Sequence, residues 1–275
     1  MKGRIEQCFA TLRERGERAL IAFIMAGDPD MAATRALVHA AAAGADLIEL
    51  GVPFSDPTSD GPVLQRSAER ALRRNVSLPR VLELVHELRQ ESLTTPIILF
   101  GYYNPIFRYG CQRFAEDAVQ AGVDGVLVVD LPPEEAGELR RFTDPAGLDV
   151  IHLLAPTSDS ERIRKVLARA RGFVYYVSLT GVTGVRAVDP AEVRPMVERV
   201  KRQTRLPIGV GFGISSPQQA AAVAQFADAV VVGTAIMRIV EEHGGDADLV
   251  ERVGAFVRSL KSAIRSGASN ASSAG

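Results

Sequence analysis

Eight short apolar runs, spread along 275 residues, constrain the fold of this chain more than any other feature. They begin near Leu20, Asp46, Thr95, Asp124, Asp149, Phe173, Leu206 and Asp228, and most of the segments between them have helical apolar spacing or are Ala-rich. Runs such as IAFIM, PIILF, GVLVV and AVVVG are nearly unbroken and often β-branched, as strands buried on both faces are. The length would also suit two small domains, but eight strands alternating with helices predict one parallel (β/α)8 barrel. Ahead of the first strand, GRIEQCFATLRERGE reads as an extra amphipathic helix. The barrel is expected over residues 1–265. Residues 266–275, SGASNASSAG, have too little apolar surface to offset their ordering entropy and are predicted to be a disordered tail.

Charge and cysteine usage remove several function classes. The formal net charge is -1, from 32 basic and 33 acidic residues spread along the chain, so no strong field for nucleic acid or membrane is implied. Cys8 and Cys111 are isolated, without metal-ligand spacing or a disulfide framework, and read as packing residues in a reducing compartment. No apolar stretch reaches the roughly 18 residues of a membrane span, so a cytoplasmic location is expected. His39, His86 and His243 fall on predicted helices and His152 lies inside a strand, which leaves neither a metal set nor a nucleophilic triad.

Active sites in such barrels form at the C-terminal strand ends, so those ends carry the search for chemistry. The stretch Asp46 to Pro62, DLIELGVPFSDPTSDGP, is the richest. Strand alternation puts Leu47 and Glu49 on one face and Ile48 and Leu50 on the other, so Glu49 shares a face with an apolar neighbour. Lost hydration there would raise its pKa toward the range useful for proton transfer. The alternative is a structural glutamate paired to an arginine. Asp56 and Asp60 follow in a loop where an Asx turn or a helix cap by Ser59 or Asp60 would suffice, although long connections of this kind are uncommon without a function.

Three further strand ends, TGVTG, GFGISS and GTAI, join glycines and hydroxyls to predicted helix starts. Glycine lets backbone N–H groups approach an anion, and a helix start adds partial positive charge, so a phosphate group is the expected occupant. One Gly-rich turn alone would be ordinary turn chemistry; three at neighbouring strand ends make Gly184, Phe212, Gly213, Gly233 and Thr234 candidate phosphate-binding residues. Phe23, Tyr102, Leu127, Leu153 and Tyr175, each read singly as core, lie at strand ends where together they could wall a flat apolar substrate.

The segments LIELGVPFSDPTSDGPVLQ, GYYNPIF, GVDGVLVVDLPPEE, YYVSLTGVTG and GVGFGISSPQQ occur in the order found in the tryptophan synthase alpha subunit family, which the chain closely resembles from about Phe9 to Ile264. The resemblance implies a single TIM barrel that cleaves indole-3-glycerol phosphate to indole and glyceraldehyde 3-phosphate, without metal or organic cofactor in this chain. It matches Glu49 to the family's principal acid/base, Asp60 to its second catalytic carboxylate, and Thr183 to the threonine that meets this aspartate on loop closure. It assigns Phe23, Tyr102, Leu127 and Tyr175 to the indole side and Gly184, Phe212, Gly213, Gly233 and Thr234 to the phosphate site. Asp56, Pro57, Asn104 and Phe107 fall in loops resembling those that face the beta subunit. The implied assembly is an α2β2 heterotetramer, with pyridoxal phosphate in the beta subunit and indole passed to it for tryptophan biosynthesis. An autonomous lyase and a weakly catalytic regulatory subunit are the alternatives. One departure is Ser59, where the family pattern has a small apolar residue; it bears on the closed geometry of the loop.

Overall fold

A computed structural model describes residues 3–177, 189–211 and 213–272, the last five of these as backbone only. Helix α1 (Arg4–Glu14) comes first. The repeating units follow as β1 (Ala19–Met25), α2 (Met31–Ala42), β2 (Leu47–Gly51), α3 (Pro62–Arg73), α4 (Leu78–Gln90), β3 (Ile97–Gly101), α5 (Tyr103–Tyr109), α6 (Cys111–Ala121) and β4 (Gly125–Val128). The second half runs through α7 (Gly137–Ala146), β5 (Asp149–Leu154), α8 (Ser160–Leu167), β6 (Val174–Val177) and α9 (Pro190–Lys201). It ends with β7 (Ile208–Gly211), α10 (Pro217–Ala224), β8 (Ala229–Val232), α11 (Thr234–His243) and α12 (Leu249–Ser272). All eight strands pair in parallel, and β8 returns to β1 to close the barrel. The expected architecture is therefore the one observed, each strand beginning within two residues of its apolar run.

Strand alternation divides the core in two. Residues such as Ile48, Leu50, Val126, Val210 and Val230 point outward and pack under the helices. Ile21, Leu47, Ile98, Leu127, Ile151, Phe173 and Val231 fill the barrel interior, joined by Ile5, Phe9 and Leu12 of α1. The extra helix thus lays its apolar stripe against the interior core, with Phe9 and Phe173 rings 5.7 Å apart. Cys111 is buried and Cys8 partly so, its thiol pushed up to about 12 chiefly by burial, which suits packing residues and not nucleophiles.

Three aspartates secure the strand starts. Asp46, Asp124 and Asp228 each precede an even-numbered strand and accept a backbone N–H from the neighbouring odd one: Leu20, Ile97 and Ile208, at 2.7, 2.8 and 3.0 Å. A cation completes each: Lys261 at 2.7 Å, Arg89 at 2.7 Å and Lys201 at 2.9 Å. Hydrogen bonds to charged groups are worth about 1.5–3 kcal/mol, and here they lie far from the strand ends where chemistry is expected, so this end of the barrel serves stability.

The C-terminal end differs from the expected tail. Helix α12 continues to Ser272, and residues 273–275 lie outside the described part. The helix is anchored by Val253, Val257, Leu260 and Ile264 in the core. Gly267 extends its contact with α10, since a Cβ there would lie 3.1 Å from the Ala221 carbonyl. Small residues, unfavourable for a core of their own, here allow close approach of two helices.

Candidate active site

Glu49 stands on the inner face of β2 and is 1% exposed. Its register neighbours are Phe23 on β1 and Ile98 on β3, so its surroundings are apolar. Among the described residues no cation pairs with it, and its Oε1 has no hydrogen-bond partner. The arginine-paired alternative is therefore not what the fold builds. Burial alone pushes the carboxyl up to about 8, so near neutral pH it holds a proton it can give.

Asp60 closes a turn in which its N–H donates to the Pro57 carbonyl at 3.1 Å. The N-cap of α3 is Gly61, with no side-chain cap, and Pro62 opens the helix. The capping role open to Ser59 or Asp60 is thus not taken up. The Asp60 carboxyl is half-buried and its hydrogen bond comes from the Tyr102 hydroxyl. Burial raises its pKa to about 6 against the lowering effect of that bond, so Asp60 is mostly ionised at pH 7. Tyr102 also accepts the Ser59 N–H at 3.0 Å and so holds the turn from β3.

Tyr175 on β6 lies across the barrel from β2. Its hydroxyl is held well above its ordinary value by burial first and then by the charges of Glu49 and Asp60, which places all three groups at one mouth. Glycine makes room for it: a Cβ on Gly211 would lie 2.6 Å from the Tyr175 oxygen. Phe23 is accommodated likewise. A Cβ on Gly51 would meet its ring at 2.6 Å and one on Gly233 its Cβ at 3.2 Å, so Phe23 bridges from β2 to the start of α11. Leu127 is fully buried and Leu153 partly buried in the barrel interior.

Two aromatics escaped the sequence reading of this wall. Phe100 meets Phe23 edge-on, with centroids 5.3 Å apart, and Phe54 lies tilted against Tyr102 at 5.2 Å. Alternation from Ile98 would have found Phe100; Phe54 sits on an irregular loop that has no such signal.

At the expected phosphate end, Gly233 is the N-cap of α11 and Thr234 its first residue. Gly213 has φ +64, a conformation suited to glycine, and among the described residues nothing lies within 4 Å of where its Cβ would be. Among the described residues no side chain caps the ten-residue α11, and its opening amides and partial positive charge favour an anion there. Thr183, Gly184 and Phe212 lie outside the described residues.

On the rim, Asp56 and Asn104 are exposed, Pro57 is half-buried and Phe107 is 55% exposed. A groove of about 350 Å³ runs beside Asn104 and Phe107, lined also by Tyr103, Asp130, Leu131, Glu135 and Glu138. Among the described residues no cluster of His, Cys, Asp and Glu could hold a metal, and no helix is long and apolar enough to cross a membrane.

With this geometry in hand, comparison with known proteins is specific. The family model described as tryptophan synthase alpha chain matches residues 9–265. The tryptophan synthase alpha chain of Geobacter sp. strain M21 is 54% identical over 265 residues, covering 96% of this chain and 98% of that one. Among solved structures, tryptophan synthase subunit alpha from Legionella pneumophila superposes with a TM-score of 0.91 at 41% identity, covering 97% and 100% of the two chains. A chain of the tryptophan synthase complex from Pyrococcus furiosus matches with a TM-score of 0.80 at 36% identity, covering 89% and 98%.

Proposed function

This chain belongs to the tryptophan synthase alpha chain family, a lyase that cleaves indole-3-glycerol phosphate to indole and glyceraldehyde 3-phosphate, and we propose that Glu49 and Asp60 divide the chemistry of that cleavage. The observation that carries this reading is the pair of unlike carboxyls at one mouth: Glu49 near 8, its Oε1 without a partner among the described residues, and Asp60 near 6 on Tyr102. Environments that push two carboxyls apart assign an acid and a stabilising anion.

Protonated Glu49 gives its proton to C3 of the indole ring, and the positive charge that develops at the ring nitrogen is met by the Asp60 carboxylate through the N–H. Glu49, now a carboxylate, takes the proton of the glycerol hydroxyl next to the breaking bond. The hydroxyl carbon becomes the aldehyde, the electron pair of the carbon–carbon bond returns to the ring, and Glu49 regains its proton. Both carboxyls act on charge present only during reaction, which is where stabilisation accelerates a step.

Phe23, Tyr102, Leu127 and Tyr175 enclose the ring in this reading, while Gly213, Gly233 and Thr234 receive the phosphate with Gly184 and Phe212. Thr183 meets Asp60 on closure and excludes water. Asp56, Pro57, Asn104 and Phe107 face a beta subunit, in an α2β2 assembly whose pyridoxal phosphate lies in the partner, and the setting is cytoplasmic. The exposed Phe107 beside an open groove supports an interface at this rim. The test is steady-state cleavage of indole-3-glycerol phosphate with and without a beta subunit. Turnover that rises on association supports the reading, and full turnover alone replaces it with an autonomous lyase.

A further inference from the structure

One guanidinium joins three successive units of the barrel on the side where the two ends of the substrate would be held. Strand β1 lies between β8 and β2, and the loop after it carries Asp28, which is fully buried. Arg70 of α3 reaches Asp28 with a two-pronged contact, Nε to Oδ1 at 2.8 Å and Nη2 to Oδ2 at 2.7 Å. Its third arm, Nη1, donates to Glu241 Oε1 of α11 at 2.9 Å. Ser67 of α3 donates to Asp28 Oδ2 at 2.5 Å. Gly27 presses this loop against the end of α3, since a Cβ there would lie 2.4 Å from a Val76 methyl. Arg66 adds a two-pronged contact to Glu241 at 2.7 and 2.8 Å from the exposed side.

The two helices so joined are those that begin at the site. Helix α3 starts two residues after Asp60, and α11 starts at Thr234. We propose that Arg70 is a positioning residue for the cleavage, fixing the span between the phosphate end at α11 and the Asp60 end at α3 through Asp28 and Glu241. This rests on the reading of the mouth given above. Indole-3-glycerol phosphate is one covalent molecule held at both ends, so an error in the span displaces the ring nitrogen from Asp60 even when each end still binds. Free indole or glycerol phosphate senses one end alone.

The test separates span from affinity. Arg70→Lys keeps the charge but cannot make the fork, and Glu241→Gln weakens the contacts that both Arg70 and Arg66 make to α11, so Arg66→Ala is the control that isolates the Arg70 arm. Each is assayed for turnover of indole-3-glycerol phosphate and for separate binding of glycerol 3-phosphate and of indole, with thermal melts on the same samples. Turnover should fall about 10- to 100-fold, the loss expected of a misplacement near an ångström, while both half-ligands bind as in the parent. Arg66→Ala should retain parental turnover. Parental turnover in folded Arg70→Lys and Glu241→Gln would overturn the proposal, as would a turnover loss matched by an equal loss of glycerol phosphate affinity. If Arg70→Lys fails to fold, Glu241→Gln decides with Arg66→Ala as its control, because it leaves the Asp28 contact in place. Failure of the parent chain to bind glycerol phosphate would instead overturn the underlying reading of the mouth.

Discussion

Tyr102 holds Asp60 from the neighbouring strand end: its hydroxyl accepts the Ser59 N–H at 3.0 Å and donates to the Asp60 carboxylate. The same bond favours the ionised form of Asp60 against the burial that raises its pKa to about 6. In Tyr102→Phe that support is lost. The acid limb of activity should move to higher pH, and turnover at pH 7 should fall about tenfold, in keeping with one hydrogen bond to a charged group. Paired pH–rate profiles check this; an acid limb that stays in place would mean that Tyr102 acts on Asp60 through packing alone.

Glu49 costs stability where it gains chemistry. Its pKa rises from 4.5 unfolded to about 8 folded, so between those values the native state binds more protons than the unfolded one. Stability therefore falls as pH rises through that window and stays low above it. Glu49→Gln lacks the penalty and should exceed the parent in stability at pH 9 by a few kcal/mol, about what the shift allows as an upper limit. Its cleavage rate should drop at least about 10²-fold. Denaturant melts at pH 5 and pH 9, with an assay on the same protein, measure both; equal stability gaps at the two pH values would contradict the buried-acid assignment.

The two glycines at the proposed phosphate end should respond differently. Gly213→Ala meets no neighbouring atom among the described residues but forces a side chain into φ +64, at about 1–2 kcal/mol. It should weaken glycerol phosphate binding and spare indole. Gly233→Ala places a Cβ 3.2 Å from Phe23 and should disturb both ligands. Calorimetric titration of each variant with each ligand separates these patterns, and identical losses in the two variants would remove the assignment of Gly213.

Much of this site could be read from the chain itself, because strand alternation and the strand-end rule need no partner information. Glu49 was placed inward by its spacing from Leu47, and Phe23, Leu127 and Tyr175 by their positions at strand ends. Long-range relations were not legible. Nothing in DLIELG reveals that no arginine among the described residues reaches Glu49, and nothing near Asp60 reveals the Tyr102 hydroxyl, supplied from just beyond β3. Locally an Asx turn or a cap by Ser59 or Asp60 would have sufficed, but α3 has no side-chain cap and the Asp60 carboxyl bonds Tyr102 instead. A related contact lies in the last helix: the small residues after Ile264 cannot form a core, but Gly267 lets α12 approach α10 closely.

His152 gives a control away from the mouth. It is buried on β5 with Nε2 unpartnered among the described residues, and burial first, then the charges of Arg140, Arg162 and Arg169, lower its pKa to about 4. Between about 4 and 6.5 the unfolded state binds the extra proton, so stability falls as pH drops through that window. His152→Leu should flatten this acid limb and leave turnover at neutral pH unchanged. Melts at pH 4.5 and 7 test it, and an unaltered acid limb would assign the acid sensitivity elsewhere.

Burial makes Glu49 of the free chain an acid that gives up its proton only near pH 8. The pH dependence of kcat/KM for indole-3-glycerol phosphate cleavage reports groups of the free protein and tests this most directly. The account predicts a rate that declines above about pH 8 as Glu49 ionises, with the acid side set near 6 by Asp60. A rate that stays level from pH 7 through pH 9.5 would contradict it, because a donor already ionised at neutral pH has no proton to give to the indole ring.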